Sequence, residues 1–161
     1  SGSREWKMSK LLDDGDATGL PSYHLRQFRY PEDYPAVSAL WSNSGPGVQV
    51  RRSDEPEEIA KKLQRDPDLF LLAEVEGELI GTVLGGFDGR RGMIYHLAVA
   101  EKWKRQGVGE ALMNEVEQRL RSKGCIRCYL LVTRENENAM RFYEKRGWEL
   151  MDWIFPYGKD L

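Results

Sequence analysis

Cysteine and histidine are scarce: the 161 residues hold two of each. Cys125 and Cys128 have Cys-x-x-Cys spacing, but no second pair follows. Residues three apart on a strand also point to opposite faces, unlike a redox motif at a helix start, so the pair reads as buried and structural, with no metal expected. With only His24 and His96 available, no Ser, His and Asp set points to a hydrolase. Charge of one sign is not in excess either. Lys plus Arg total 24 against 26 for Asp plus Glu, a net charge of −2, so no nucleic-acid partner is expected. The short basic clusters Arg51-Arg52, Arg90-Arg91 and Lys102 to Arg105 read as solvated faces. No apolar run approaches the roughly 20 residues of a membrane span, so no membrane partner is expected. No basic-then-apolar signal segment opens the chain, which makes a reducing cytoplasm the default compartment.

What is present is ordinary for a globular α/β protein, with 40% hydrophobic and 31% charged residues. Residues 1 to 21, "SGSREWKMSKLLDDGDATGLP", lack apolar periodicity and an initiating Met. They read as a disordered tail or a cloning scar, with Met8 a candidate native start. Residues 22 to 161 read as a single domain. "SYHLRQFRY" alternates as an edge strand. Pro31, with Glu32 and Asp33 behind it, fits the first turn of a helix reaching about Trp41. "SNSGPGVQ" is loop, and "SDEPEEIAKKLQRD" a second helix opened by a capping Ser or Asp.

Three strands follow in quick succession, at 69 to 75, 78 to 87 and 93 to 99, an antiparallel meander turned at Glu76-Gly77 and "DGRRG". Val108, Leu112, Val116 and Leu120, with Met113 beside them, make one apolar stripe of a helix over 107 to 123, ended by Gly124. "IRCYLLV" (126 to 132) is a further strand, Asn136 to Arg146 a helix closed by Gly147, and "WELMDWIF" a closing strand. The order argues an α/β fold in which the strands flanking the 107 to 123 helix run parallel.

"KWKRQGVGEAL" places Gly107 and Gly109 between that strand and that helix. Glycines allow a tight turn and a close ligand approach, and the first helical amides lack partners and carry partial positive charge. Such an end binds phosphate oxygens, with Lys104 and Arg105 adding charge. The alternative is a plain strand-to-helix turn with solvated bases. The dinucleotide fingerprint and the Walker pattern are both missing, since no third glycine and no Gly-Lys-Ser/Thr follow.

A second constellation lies in "NENAMRFYEKRGW", where Asn136, Ala139, Tyr143, Gly147 and Trp148 form an N-x-x-A-x-x-x-Y-x-x-x-G-aromatic pattern. With "LAV…KWKRQGVG", this resembles the GNAT superfamily of N-acetyltransferases, whose six-residue turn reads Arg/Gln-x-x-Gly-x-Gly/Ala; Lys104 departs at the first place. The likeness covers about His24 to Leu161. "LFLLAEVEGELIGTVLGGFDGRRG" and "RFYEKRGWE" look closest to bacterial RimI-like or YpeA-like members. The resemblance implies a GNAT fold: a mixed central sheet with an antiparallel N-terminal meander, a central parallel pair splayed at the cofactor, and about four flanking helices.

The same resemblance implies acetyl-CoA as co-substrate and a primary amine as acceptor. The strand at Leu97, Ala98 and Val99 would offer backbone groups to the pantetheine arm. Lys104, Arg105, Gln106, Gly107, Val108 and Gly109 would hold the pyrophosphate. Asn136, with Ala139 in the same motif, would bind the pantetheine, and Tyr143 would point its hydroxyl at the sulfur as general acid. A phenol of pKa about 10 suits donation to a thiolate whose acid is about 8.5, and the backbone amide near Val99 would polarise the thioester carbonyl.

The general base is not evident. Met93 cannot serve, and Leu131 stands where related peptide-amine acetylating enzymes carry a Glu. Tyr95, on the face of Met93 and Leu97, is the second catalytic candidate, relaying a proton through water. Strand alternation turns His96 to the opposite face, where it reads as a core or hydrogen-bonded histidine. The acceptor amine would meet the loop "WSNSGPGVQVRRSDEP" and the segment from Trp153 to Tyr157. Homodimerisation through the last strand is a further expectation. A non-catalytic acyl-CoA-binding sensor or interaction module on the same fold is the alternative function.

Overall fold

Hydrogen bonds join six strands in chain order: β1 (Trp6–Lys7), β2 (His24–Gln27), β3 (Phe70–Val75), β4 (Glu78–Phe87), β5 (Gly92–Val99) and β6 (Cys128–Leu130). The computed structural model describes residues 6–7 and 22–161. Pairing is antiparallel from β1 through β5 and parallel between β5 and β6. The α-helices are α1 (Tyr34–Ser42), α2 (Pro56–Arg65), α3 (Val108–Ser122) and α4 (Glu137–Lys145). The protein is therefore α/β with the mixed sheet that the order of sequence patterns predicts. The chain divides into two compact units, residues 1–131 and 132–161; the sheet and α1 to α3 lie in the first, and α4 in the second.

Alternation along the strands gives the sheet two apolar faces. On one, Phe28, Phe70, Leu72, Leu84 and Ala98 form a buried cluster with Val37 and Trp41 of α1 and Ile59 of α2. The other face takes α3, whose predicted stripe of Val108, Leu112, Val116 and Leu120 is buried, each side chain stabilising the fold by about 1.5–3 kcal/mol. Glycines on the sheet let this helix sit close. A β-carbon on Gly81 would stand 3.0 Å from both Leu112 Cδ1 and Val108 Cγ1. Gly124, at φ +92°, carries the chain off the end of α3, the left-handed conformation expected of a terminating glycine.

Several elements differ from the sequence expectation. No strand forms over 148–155: the segment is irregular with a turn at Asp152–Trp153, and Leu150, Trp153 and Phe155 are exposed. An alternating pattern makes a strand only where a partner ladder receives it, and among the described residues none pairs there. The strand expected over 126–132 is confined to Cys128–Leu130, and Ile126, expected on its apolar face, is exposed. β2 is not an edge, because β1 pairs with its outer side at Leu25 and His24. Trp6 and Lys7 thus form a strand inside the segment read as a tail; the rest of residues 1–21 lies outside the described residues.

Pro31 follows a cis peptide bond in a turn, and α1 begins only at Tyr34, with Pro35 in its first turn. Asp33, expected to serve the helix dipole, instead gives both carboxylate oxygens to Arg26, at 2.7 and 2.8 Å. The second predicted helix is split. Arg52–Asp54 form a 3₁₀ turn, and α2 starts at Pro56. The two cysteines are free; Cys125 is buried, and a β-carbon on Gly92 would meet its Sγ at 3.1 Å and Cys128 Cβ at 3.2 Å. They therefore flank one glycine rather than facing apart, because Cys125 precedes the strand. Burial above all pushes the Cys128 thiol up to about 11, which keeps it protonated.

Candidate functional site

β5 gives its two edges different partners. Toward β4 it is laddered to its end, where Val99 pairs with Gly81 and Ala98 with Thr82. Toward β6 the pairing stops at Ile94 opposite Leu130. From Tyr95 to Val99 that second edge has no strand beside it among the described residues. The Ala100 amide donates to the Ile80 carbonyl at 2.8 Å. By ladder alternation, Val99 therefore turns its own N–H and C=O to the unpaired edge, and Leu97, two residues earlier, does likewise. An extended chain laid there would find donors and acceptors at strand spacing.

The chain leaves this edge through a 3₁₀ turn at Glu101–Trp103 and enters the segment 104–107. Arg105 (φ +64°) and Gly107 (φ +84°) are both left-handed, either side of Gln106. Alternating backbone handedness of this kind turns successive amides into one concavity, a form that binds anions. No backbone carbonyl among the described residues accepts from the amides of Arg105, Gln106 or Gly107. Val108 and Gly109 open α3, where the first amides have no intrahelical acceptor. The Gly107 carbonyl accepts from Ala111 N–H at 3.0 Å and from the Tyr23 hydroxyl at 3.4 Å. Lys104 and Arg105 are exposed, with Lys104 Nζ 3.0 Å from Glu101.

Within the first of these features, the unpaired edge, lies a bulge. Leu84 pairs with Tyr95 and Thr82 with Ala98, so His96 and Leu97 together oppose Val83. His96 takes the extra residue's strain at φ +48°, an uncommon conformation without glycine. This overturns the expected alternation. His96 lies on the α1 face, as Tyr95 does: its ring is 4.6 Å from Trp41, and its Nε2 is 2.9 Å from both oxygens of Asp54. Leu97 and Val99 fall on the α3 face with Gly81, so Tyr95 does not share a face with Leu97. The expectation that His96 is hydrogen-bonded matches the geometry, while the face assigned to it does not. Trp41 Nε1 donates to Thr82 Oγ1 at 3.1 Å, and Thr82 Oγ1 donates to the His96 carbonyl at 3.1 Å. Tyr95 is exposed, and desolvation pushes its phenol above the usual tyrosine range.

In the unit of residues 132–161, Asn136 caps α4: its Oδ1 accepts the Ala139 N–H at 3.1 Å. The N-x-x-A spacing thus has a local structural cause, and the Asn136 amide nitrogen is left as a donor. Tyr143 meets Phe142 and Trp148 edge-on, with ring centroids 5.2 and 5.9 Å apart. Burial pushes its phenol up to about 12. Leu97 to Gly109 stand together in the first unit; Asn136, Ala139 and Tyr143 stand together in the second.

Sequence reasoning missed Asp54, Trp41 and Thr82. Nothing in the sequence marks them, since Asp54 lies far from His96 along the chain and the bulge that joins them falls on a non-glycine residue. No group of three or more potential metal ligands occurs among the described residues. No helix among them is long and apolar enough to cross a membrane.

Residues 30–148 match the model of a family described as "Acetyltransferase (GNAT) family". The chain is similar to Acetyltransferase SG1711 of Sodalis glossinidius, 38% identical over 138 residues, covering 85% of this chain and 94% of that protein. It is 40% identical over 138 residues to Acetyltransferase ECA0875 of Pectobacterium atrosepticum, with the same coverage, 85% and 94%. Among solved structures, Ard1 from Thermoplasma volcanium superposes with a TM-score of 0.68 at 27% identity, over 78% of this chain and 81% of that one. The PaiA N-acetyltransferase from Thermoplasma acidophilum, in complex with coenzyme A, superposes at 0.69 with 22% identity, over 81% and 92%.

Proposed function

The chain belongs to the GNAT acetyltransferase family, and we propose that it moves the acetyl group of acetyl-CoA directly to a primary amine of a small molecule, a lysine or a peptide N-terminus. The observation that carries this reading is a succession: an unpaired strand edge, then a concavity of free amides, then the start of a helix. Pantetheine, an extended chain with two amides, suits the edge at Leu97, Ala98 and Val99. A pyrophosphate suits the amides of Arg105, Gln106, Gly107, Val108 and Gly109, with the Lys104 ammonium as added positive charge. The coenzyme in the PaiA structure supports a fold of this kind as a coenzyme A binder.

In the reaction the amine nitrogen attacks the acetyl carbon, the carbonyl oxygen gains charge, and the sulfur leaves as a thiolate. The Val99 N–H, turned to the unpaired edge, is the oxyanion donor. Tyr143 stays protonated at any working pH with its phenol near 12, and gives its proton to the sulfur. The Asn136 amide nitrogen, left unused by the cap, donates to the pantetheine, with Ala139 fixing the cap that orients it. Tyr95 remains a neutral phenol that holds water on the acceptor side. Residues 22–161 act as a single domain, nearest in kind to RimI-like or YpeA-like members, working in the cytoplasm.

Acetyl-CoA-dependent thiol release over a panel of small amines, lysine peptides and free N-termini tests this. Acceptor-dependent release with one amine class supports the reading. Coenzyme A binding by calorimetry without release on any amine favours the sensor or interaction module instead.

A further inference from the structure

Asp54 is a carboxylate sealed inside the protein, with 5% of its surface exposed. Both oxygens lie 2.9 Å from His96 Nε2, and Oδ2 also accepts the Arg51 N–H at 2.9 Å. An ionised carboxylate can only accept, so the shared hydrogen sits on Nε2. A neutral imidazole has one such hydrogen, which leaves a lone pair on Nδ1. No described residue bonds that nitrogen, and it is not among the buried polar atoms cut off from solvent. The His96 side chain keeps 15% of its surface exposed, a route by which water reaches it.

The surroundings hold the ring in place. Trp41 lies over it at 4.6 Å, tilted by 46°. Thr82, itself fixed by the Trp41 indole, bonds the His96 carbonyl and pins the bulge. A buried acid thus occupies one nitrogen, and the other has no protein partner among the described residues. The position is also specific. His96 precedes Leu97 on the edge assigned to the thioester, and it shares its face with Tyr95.

Resting on the acetyl-transfer reading, we propose that His96 is the general base of the reaction, with Asp54 as the residue that positions it and fixes its tautomer. Nδ1 takes a proton from the acceptor ammonium, directly or through a water at the Tyr95 hydroxyl. The freed amine lone pair then forms the N–C bond as the C–S bond breaks. The thiolate takes the Tyr143 proton, and the nitrogen's second proton restores Tyr143 through solvent. The products are the N-acetyl amine, coenzyme A thiol and one proton, lost from His96.

The test pairs kinetics with nitrogen-15 NMR of the imidazole in the whole chain. His96→Gln keeps a donor to Asp54 and removes the basic nitrogen. It lowers kcat by about 10²–10⁴-fold, with KM, coenzyme A affinity and melting temperature close to those of the parent. In the parent protein the spectrum shows a proton on Nε2 and none on Nδ1; in Asp54→Asn that preference is lost and kcat falls too. An unchanged kcat in His96→Gln, with turnover intact in the parent, overturns the base role and leaves the acetyl-transfer reading standing. A proton on Nδ1 in the parent also overturns it, even where the glutamine variant fails to fold. A parent that binds coenzyme A but acetylates no amine overturns the wider reading and the base role with it.

Discussion

Gly85 of β4 faces Val116 of α3 so closely that a β-carbon on the glycine would stand 2.8 Å from Val116 Cγ2. No real β-carbon tolerates that distance, and the neighbours are a helix side chain and the buried Leu69. Gly85→Ala therefore displaces α3 or strains the sheet, at a cost of about 1–3 kcal/mol, read as a lower urea midpoint with unchanged m. Gly86→Ala is the control. The nearest atom to its new carbon would be Lys62 Nζ at 3.6 Å, an ordinary contact. Val116→Ala in the Gly85→Ala background recovers part of the loss, because the two changes share one space.

A buried charge cluster sets the acid response. The Arg26 guanidinium bonds Asp33 at 2.7 Å and Glu74 at 2.9 Å, with 6% of its side chain exposed. Burial works to raise the Asp33 carboxyl, but hydrogen bonds from Arg26 and the Arg29 N–H prevail and hold it below its ordinary 3.8. The Arg26 hydrogen bond holds Glu74 below its ordinary 4.5. Both folded values are depressed, so their stabilisation is fully present above the unfolded values and is lost as pH falls through the folded ones. The urea midpoint of the parent accordingly drops from pH 6 to pH 3. Arg26→Met takes the guanidinium from both acids, leaving Asp33 with the Arg29 N–H at 2.7 Å and Glu74 with His24 Nε2 at 3.3 Å, and costs about 3–5 kcal/mol at neutral pH. That deficit shrinks toward pH 3, where both acids can be neutral; a deficit independent of pH would assign the loss to packing.

These two sites mark what the sequence does and does not disclose. The α3 stripe was legible because its partner is a whole sheet face, and any sheet would have accepted Val108, Leu112, Val116 and Leu120. The strand borders at 78–87 and 93–99 were legible because turns with glycine punctuate them. The Arg26 cluster was not, since its two acids lie on α1's approach and on β3, and only the fold brings them together. The bulge at His96 was invisible for a sharper reason. Period-two reasoning presumes an unbroken ladder, and a one-residue insertion reverses every face assignment beyond it. Tyr95, His96 and Leu97 were therefore placed on faces that the bulge rearranges. The 148–155 segment failed in the opposite direction, with a good pattern and no ladder to receive it.

The turn at Arg105 to Gly109 makes its own prediction. A β-carbon on Gly107 would meet nothing within 4 Å, so crowding is not the issue; its φ of +84° is. An L-residue there costs about 1–2 kcal/mol in backbone strain, and a β-branched one more. Gly107→Val relieves that strain by turning amides out of the concavity. On the proposed reading, coenzyme A binds it at least 10-fold more weakly by calorimetry, while an amine acceptor's KM measured at saturating acetyl-CoA stays within about twofold, by the reasoning that the two ligands use different surfaces. Equal coenzyme affinity in the parent and Gly107→Val would remove the pyrophosphate from this turn.

Tyr143 separates binding from chemistry most cleanly. Its ring packs edge-on against Phe142 and Trp148, contacts that a phenylalanine keeps. Tyr143→Phe thus removes only the hydroxyl, and the melting temperature stays near that of the parent. On the proposed reading, in which that hydroxyl is the general acid, its loss lowers kcat by about 10²–10⁴-fold, with coenzyme A affinity little changed. The pH dependence carries a second check. Burial has raised this phenol to about 12, so the donor form persists through the alkaline range, and its ionisation produces no fall in kcat below about pH 11. A fall near pH 10 that disappears in Tyr143→Phe would mean a solvated phenol instead. A variant with parental kcat would make Tyr143 a packing residue, leaving the thiolate to take its proton from water.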